Sequence, residues 1–198
     1  VKGNDRFYYL TLMNENYSHP KRPKSATTEN IIKGAYKYLE NKDPSLRILA
    51  SGVTLNFAID AEKELKKLGI STEIWSITSF NELYKDGIEV ERLNRYENKK
   101  SVSYVESCFS ECLPTVAVSE YVRAYTNQIR QWVNGDYVTL GTDGFGRSDT
   151  REELRNYFEI SKDHIVVNAL FVSGNKDKAE KYIKDKKIDL NSKAPWLR

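Results

Sequence analysis

The chain has 198 residues, a net charge of +3 and 39% hydrophobic residues, enough for one packed α/β-sized domain. Its 31 basic and 28 acidic side chains are interleaved rather than massed, which argues against a nucleic-acid partner. No apolar run approaches the ~20 residues of a membrane span, and no secretory leader is visible at the start.

In chain order, Phe7–Met13 is aromatic and β-branched enough to be a strand, and Asn14-Glu15-Asn16-Tyr17 ends it. Residues 1–25 are therefore read as a leading strand and a proline-containing connector. Thr27 or Thr28 starts a helix in which Ile31, Ile32, Ala35, Tyr38 and Leu39 share a face. Leu46–Ala50 reads as a short buried strand. The next helix carries the stripe Leu55, Ala58, Ala61, Leu65 and Leu68, closed by Gly69. Ile70–Ile77 is again a strand, so this stretch reads as a βαβ crossover with parallel pairing and a right-handed connection. A short helix over Phe80–Lys85 stops at Asp86-Gly87, and a second covers Glu91 to Arg95. Ser103–Glu106 and Thr115–Val118 are strands, and Glu120–Val133 is a helix with Val122, Tyr125, Ile129 and Trp132 on one face. Tyr137–Leu140 is the last strand. A helix follows from Ser161, and the lysine-rich helix Lys176–Lys187 belongs to a C-terminal helix and tail over 175–198. Strands alternating with helices give a three-layer α/β domain spanning 1–198.

The most distinctive stretch is Gly141-Thr142-Asp143-Gly144-Phe145-Gly146-Arg147-Ser148-Asp149, between the last strand and a helix running through Leu154–Phe158. Strand, tight turn and helix start aim free N–H groups at whatever lies in front. Two readings stay open: an anion or phosphate cradle, and a structural elbow whose polar groups cap a helix and fix a contact with another domain or subunit. The spacing is neither G-x-G-x-x-G nor a P-loop.

Cys108 and Cys112 are the two cysteines, and His19 and His164 the two histidines. Cys-x3-Cys without a second half-site reads as buried or half-buried free thiols in a reducing cytoplasm, with no metal. Val1 opens the chain and Met13 is its one methionine, so the chain reads as part of a longer polypeptide.

Asn14-Glu15-Asn16-Tyr17, Thr78-Ser79-Phe80-Asn81-Glu82-Leu83 with Asp86-Gly87, Glu91-Arg92 and above all Gly141–Asp149 resemble one family. They look like the C-terminal domain of the homodimeric, bacterial-type pyruvate dehydrogenase first component, an oxidoreductase of the transketolase-like superfamily. The resemblance implies a transketolase C-terminal-domain-like fold: a five-stranded, mostly parallel mixed sheet with one antiparallel strand and helices on both faces. For the full-length subunit it implies decarboxylation of pyruvate on thiamine diphosphate with Mg2+, then transfer of the acetyl unit to a lipoyl group. Implied partners are the preceding domains, a second subunit and the dihydrolipoyl acetyltransferase component, all in the cytoplasm. The cofactor and metal are expected outside this chain. The Gly-Asp-Gly of the family's metal motif is absent, and no histidine pair or pyrimidine-activating glutamate carries over. No catalytic, cofactor-binding or metal residue is therefore assigned. Asp143, Phe145, Arg147, Ser148 and Asp149 are the candidate inter-domain or dimer contact. The other readings are an anion-binding regulatory module at Gly141–Ser148 and the same domain of another 2-oxo acid dehydrogenase.

Overall fold

The structure is a computed structural model and describes residues 5, 7–98, 100–189 and 191–198. Five strands form one sheet in the order β1-β3-β2-β4-β5: β1 (Ala35–Glu40), β2 (Leu46–Ala50), β3 (Thr72–Ile77), β4 (Thr115–Val118) and β5 (Tyr137–Leu140). β1 pairs antiparallel with β3, and every other pairing is parallel. This is the mixed sheet that the family resemblance implies, with its antiparallel strand at one edge.

The side chains of β2 explain the layers. Leu46, Ile48 and Ala50 join Ile74 and Val116 on one face, beneath α2 (Thr54–Lys67), α7 (Lys162–Val172) and α8 (Lys176–Lys186). Leu49 joins Trp75, Ala117 and Tyr137 on the other. That face is covered by α3 (Phe80–Glu97), α4 (Tyr104–Cys108) and the segment from α5 (Arg123–Asn127) through a 3-10 turn at Arg130–Trp132. Both faces being covered, β2, β3 and β4 are buried at every position rather than at alternate ones.

One charged pair interrupts that core. Arg47 and Glu73, in register on β2 and β3, are each 1% exposed. Arg47 Nε donates to Glu73 Oε1 at 2.6 Å, Trp75 Nε1 donates to the same oxygen at 3.0 Å, and Lys37 Nζ lies 3.0 Å from Oε2. Burial pushes the Glu73 carboxyl up, but its bonds from Arg47 and Lys37 outweigh this and hold it below the ordinary carboxylate value.

Several local expectations are corrected. Residues 7–13 belong to no strand of the described residues. The helix expected through Leu39 is only α1 (Thr28–Lys33), ended by Gly34 at φ 107, and Ala35–Glu40 is β1 instead. The two short helices around Asp86-Gly87 are one continuous α3. Gly87 is not a stop there; a Cβ on it would lie 2.5 Å from Trp132 Cε2, so the glycine admits the indole against the helix. Ser103–Glu106 is not a strand but the start of α4, where Ser103 and Glu106 form a reciprocal capping box. The helix expected over Glu120–Val133 is the shorter α5 plus the 3-10 turn, and Val122 is 49% exposed rather than on the core face. The Cys108 thiol is half-buried and Cys112 is exposed, both free.

Candidate functional site

The elbow leaves β5 at Leu140 and runs along the carboxyl edge of the sheet to α6 (Arg151–Tyr157), whose N-cap is Thr150. It is braced from two sides. On the first side, Thr142 N–H donates to Tyr121 O at 2.8 Å, and Asp143 receives both the Arg123 backbone N–H (2.9 Å) and Arg123 Nε (2.5 Å). Gly141 is what allows this approach, since a Cβ there would sit 2.5 Å from Tyr121 O and 2.8 Å from Arg123 N. On the second side lies the C-terminal tail. Arg123 stacks over the Trp196 ring at 4.0 Å, and Gly144, at φ 91, lies against the Trp196 backbone. Arg147 Nη2 donates to Arg198 O at 2.6 Å and Nε reaches Tyr157 Oη at 3.3 Å.

The five candidate contact residues therefore divide. Asp143 and Arg147 hold the elbow onto its own chain. Asp149 accepts from the Thr150 N–H at the start of α6. Ser148 is exposed, and Phe145 is 88% exposed. Near it, Tyr121 (61%), Val122 (49%) and Trp196 (46%) are exposed on the loops that brace the elbow. Phe145 thus stands exposed on a turn fixed by charge-assisted bonds from Arg123 and Arg147.

Alongside lies a cleft of ≈ 290 Å³, lined by Met13, Leu154, Phe158 and Ile160 and by Arg147, Arg151 and Arg155. Arg151 and Arg155 hold the leading segment at Asn14–Tyr17. Arg151 Nη1 lies 3.1 Å from Glu15 Oε2 and Arg151 also donates to Asn14. Arg155 Nη2 donates to Tyr17 Oη at 2.6 Å and to Glu120 at 3.3 Å, and its guanidinium packs 4.6 Å from the Phe57 ring centre. The Tyr17 hydroxyl donates in turn to Glu15 at 2.6 Å. That hydrogen bond, reinforced by Arg151, holds the Glu15 carboxyl below its ordinary value, while burial and then Glu15 push the Tyr17 hydroxyl up. The sequence reading named Asn14–Tyr17 but missed its arginines. Their i, i+4 spacing on α6 was the available signal, since such residues share a helix face.

Thiamine diphosphate and magnesium, implied by the resemblance, do not fit these residues. The first turn of α6 is capped by its own Thr150 and flanked by Asp149, Glu152 and Glu153, so a diphosphate would meet carboxylates where it needs donors. Among the described residues no group of three or more His, Cys, Asp or Glu could hold a metal ion. His164 lies outside the elbow on α7, bonded to Ser161 at 2.9 Å, and burial lowers its pKa. Among the described residues no helix is long and apolar enough to cross a membrane.

Sheet order, a single antiparallel edge and two covered faces define a three-layer α/β domain. The chain belongs to the transketolase-like C-terminal domain family, whose model matches residues 34–161, from the glycine before β1 to the cap of α7. It is 47% identical over 174 residues to the pyruvate dehydrogenase E1 component of Pseudomonas aeruginosa, covering 84% of this chain and 20% of that protein. With the corresponding component of Cupriavidus necator the identity is 39%, covering 96% of this chain and 23% of that protein. With that of Escherichia coli K12 it is 39%, covering 85% and 20%. The chain thus spans about a fifth of the length of these relatives. Transketolases from Leishmania mexicana (TM-score 0.56, 20% identity, 76% of this chain and 19% of that one) and Pichia stipitis (0.57, 19%, 76% and 19%) share the fold.

Proposed function

We propose that this chain is the assembly domain of a pyruvate dehydrogenase E1 subunit, and that the elbow at 141–149 is its contact with the rest of the enzyme. The full-length subunit, in this reading, works in the cytoplasm as a homodimer. It decarboxylates pyruvate with thiamine diphosphate and Mg2+ held outside this chain, and passes the acetyl unit to a lipoyl group of the dihydrolipoyl acetyltransferase component. Identity of 37–47% to E1 components over most of the chain supports the choice of enzyme. The domain organisation follows the same reading: one domain over 1–198, with the leading segment 1–25 and the tail 175–198 serving as its joints to other parts.

The observation that carries the contact is Phe145, 88% exposed on a turn locked by Asp143 to Arg123 and by Arg147 to the chain's last residue. Rigid presentation of an aromatic side chain lowers the entropy cost of binding, and aromatic residues dominate interface hot spots. Asp143, Arg147 and Asp149 shape the turn, while Phe145 and Ser148 meet the partner. The test replaces Phe145 and Ser148 with alanine in the full-length subunit, singly and together. Dimer dissociation is followed by sedimentation and pyruvate turnover by acceptor reduction. The expected loss for Phe145→Ala is about 2 kcal/mol of association, roughly 30-fold in Kd. Unchanged dissociation and unchanged turnover in all variants would refute the contact.

A further inference from the structure

The cleft beside α6 has bonding capacity that the chain's own contacts leave unspent. Phe158 and Ile160, both buried, line it together with Leu154, and Arg147, Arg151 and Arg155 supply its cations. A guanidinium carries five N–H donors. Arg151 spends its own on Asn14 and Glu15, and Arg155 spends Nη2 on Tyr17 and Glu120. The Arg155 side chain is only 13% exposed, and its Nε is buried without an acceptor among the described residues. A buried donor left unbonded is costly, so this cleft favours an added oxygen.

Charge and shape together narrow what fits. Three guanidinium charges against the two carboxylates of Glu120, which lines the cleft, and Glu15, which pairs with Arg151, leave one positive charge. A carboxylate monoanion balances it, whereas a phosphate monoester, at about −1.5 to −2, would bring a second negative charge against Glu120. The volume of ≈ 290 Å³ equals ~10 water molecules at about 30 Å³ each, which suits a small organic molecule. A bare inorganic anion would gain nothing from Leu154, Phe158 and Ile160. A purely apolar ligand would strip water from the arginines without replacing its hydrogen bonds. An acid with a short aliphatic arm meets both demands, its headgroup taking paired N–H donors and its arm the apolar wall.

We propose that the cleft beside α6 binds a short-chain aliphatic monocarboxylate, its carboxylate on Arg151 and Arg155 and its hydrocarbon arm against Leu154, Phe158 and Ile160. Every residue of this site lies in the chain itself, so the proposal stands or falls apart from the choice of enzyme. The test titrates the full-length protein containing this chain with sodium hexanoate, and with acetate, hexyl phosphate and hexylammonium for comparison. Hydrogen exchange is followed in peptides covering 146–160. Hexanoate slows exchange there saturably, while β2 and β4 are unaffected. It binds at least about 10-fold more tightly than acetate, since each fully buried methylene strengthens binding about 4-fold and part of the arm stays at the open mouth. Gly146 lines the cleft and a Cβ on it meets nothing within 4 Å, so Gly146→Leu narrows the cleft without strain and abolishes the hexanoate effect. Absence of slowing in the parent protein overturns the site, whatever the variant does. Slowing that persists in a folded Gly146→Leu protein puts the ligand elsewhere and overturns it equally. Acetate or hexylammonium binding as well as hexanoate refutes the pairing of cationic and apolar walls, and tighter binding of hexyl phosphate refutes the carboxylate.

Discussion

Replacing Gly141 with alanine tests whether the elbow is built as described. β4 and β5 pair in register at Val118 and Leu140, Ser119 N–H reaches Leu140 O at 3.2 Å, and Thr142 N–H reaches Tyr121 O at 2.8 Å. A methyl group at Gly141 would lie 2.5 Å from Tyr121 O, 2.8 Å from Arg123 N and 3.0 Å from Val122 C. All three neighbours are backbone, so no side chain can swing aside; the two loops must separate. Overpacking of this kind costs about 1–3 kcal/mol, and the Thr142–Tyr121 hydrogen bond adds about 1 kcal/mol, for a total of about 2–4 kcal/mol. For a domain of this size that is a fall of about 5–15 °C in Tm. The control is Gly146→Ala, where a Cβ meets nothing within 4 Å; it is expected to stay within about 0.5 kcal/mol of the parent. Calorimetric melts of the three proteins side by side decide it. A Gly141→Ala protein melting within a degree or two of the Gly146→Ala control would show that the loops are not in contact, and the bracing of Phe145 would lose its basis.

Glu73→Gln leaves the guanidinium of Arg47, 1% exposed, without its carboxylate, and is expected to cost about 3–5 kcal/mol in denaturant unfolding. The same pair sets a pH dependence. Because the folded-state pKa of Glu73 lies below its ordinary value of 4.5, its contribution is complete above that value and is lost as the pH falls through the lower folded value. The parent Tm should therefore fall more steeply from about pH 5 to about pH 3 than that of Glu73→Gln; parallel curves would contradict the assignment. Arg155→Ala removes the donor to Tyr17 and Glu120, worth about 1.5–3 kcal/mol, so residues 14–18 should detach in a roughly 10- to 100-fold larger fraction of molecules. Limited proteolysis reads this as faster cleavage at 14–22 with little change in the rest of the chain, and equal rates would count against the arginine anchor.

The parts of the fold visible in the sequence are those settled by local pattern. β2, α2 and β3 announce themselves as a short run rich in apolar residues, a helical stripe ending near a glycine, and a β-branched and aromatic segment after it. α7 follows from the length of an apolar run that does not alternate, against a local strand preference at Ile165–Val167, and α8 from its amphipathic, lysine-rich pattern. Failures occur where a distant or reciprocal interaction overrides the pattern. Ala35–Glu40 has apolar spacing that suits a helix, yet Gly34 at φ 107 ends α1 and pairing with β3, Ala35 against Ile77, makes the segment an edge strand. Ser103–Glu106 is β-branched and aromatic enough for a strand, but the capping box supplies two bonds a strand there would lack.

The elbow was legible as a turn and illegible as a device. Its shape follows from glycine and capping residues next to one another, whereas its rigidity depends on Arg123, twenty positions from Asp143, and on Trp196 in the tail. Nothing in either partner's neighbourhood marks it for that role; the adjacency of β4 and β5 brings Arg123 to Asp143, and the tail's contacts bring Trp196 to Arg123 and Gly144. A related limit applies to burial. A sequence pattern says that apolar residues are to be covered, and in β2 or α7 this chain itself provides the cover. Phe145 and Phe7–Leu12 obey the same hydrophobic rule but are not covered by the described residues of this chain. In one case a rigid turn and in the other an anchored root holds the exposed group in place. Exposure of large apolar side chains carries a standing cost in solubility, and fixing them in space makes that cost useful only when a partner of fixed position receives them. Exposed apolar side chains on braced backbone are what the proposed assembly role rests on.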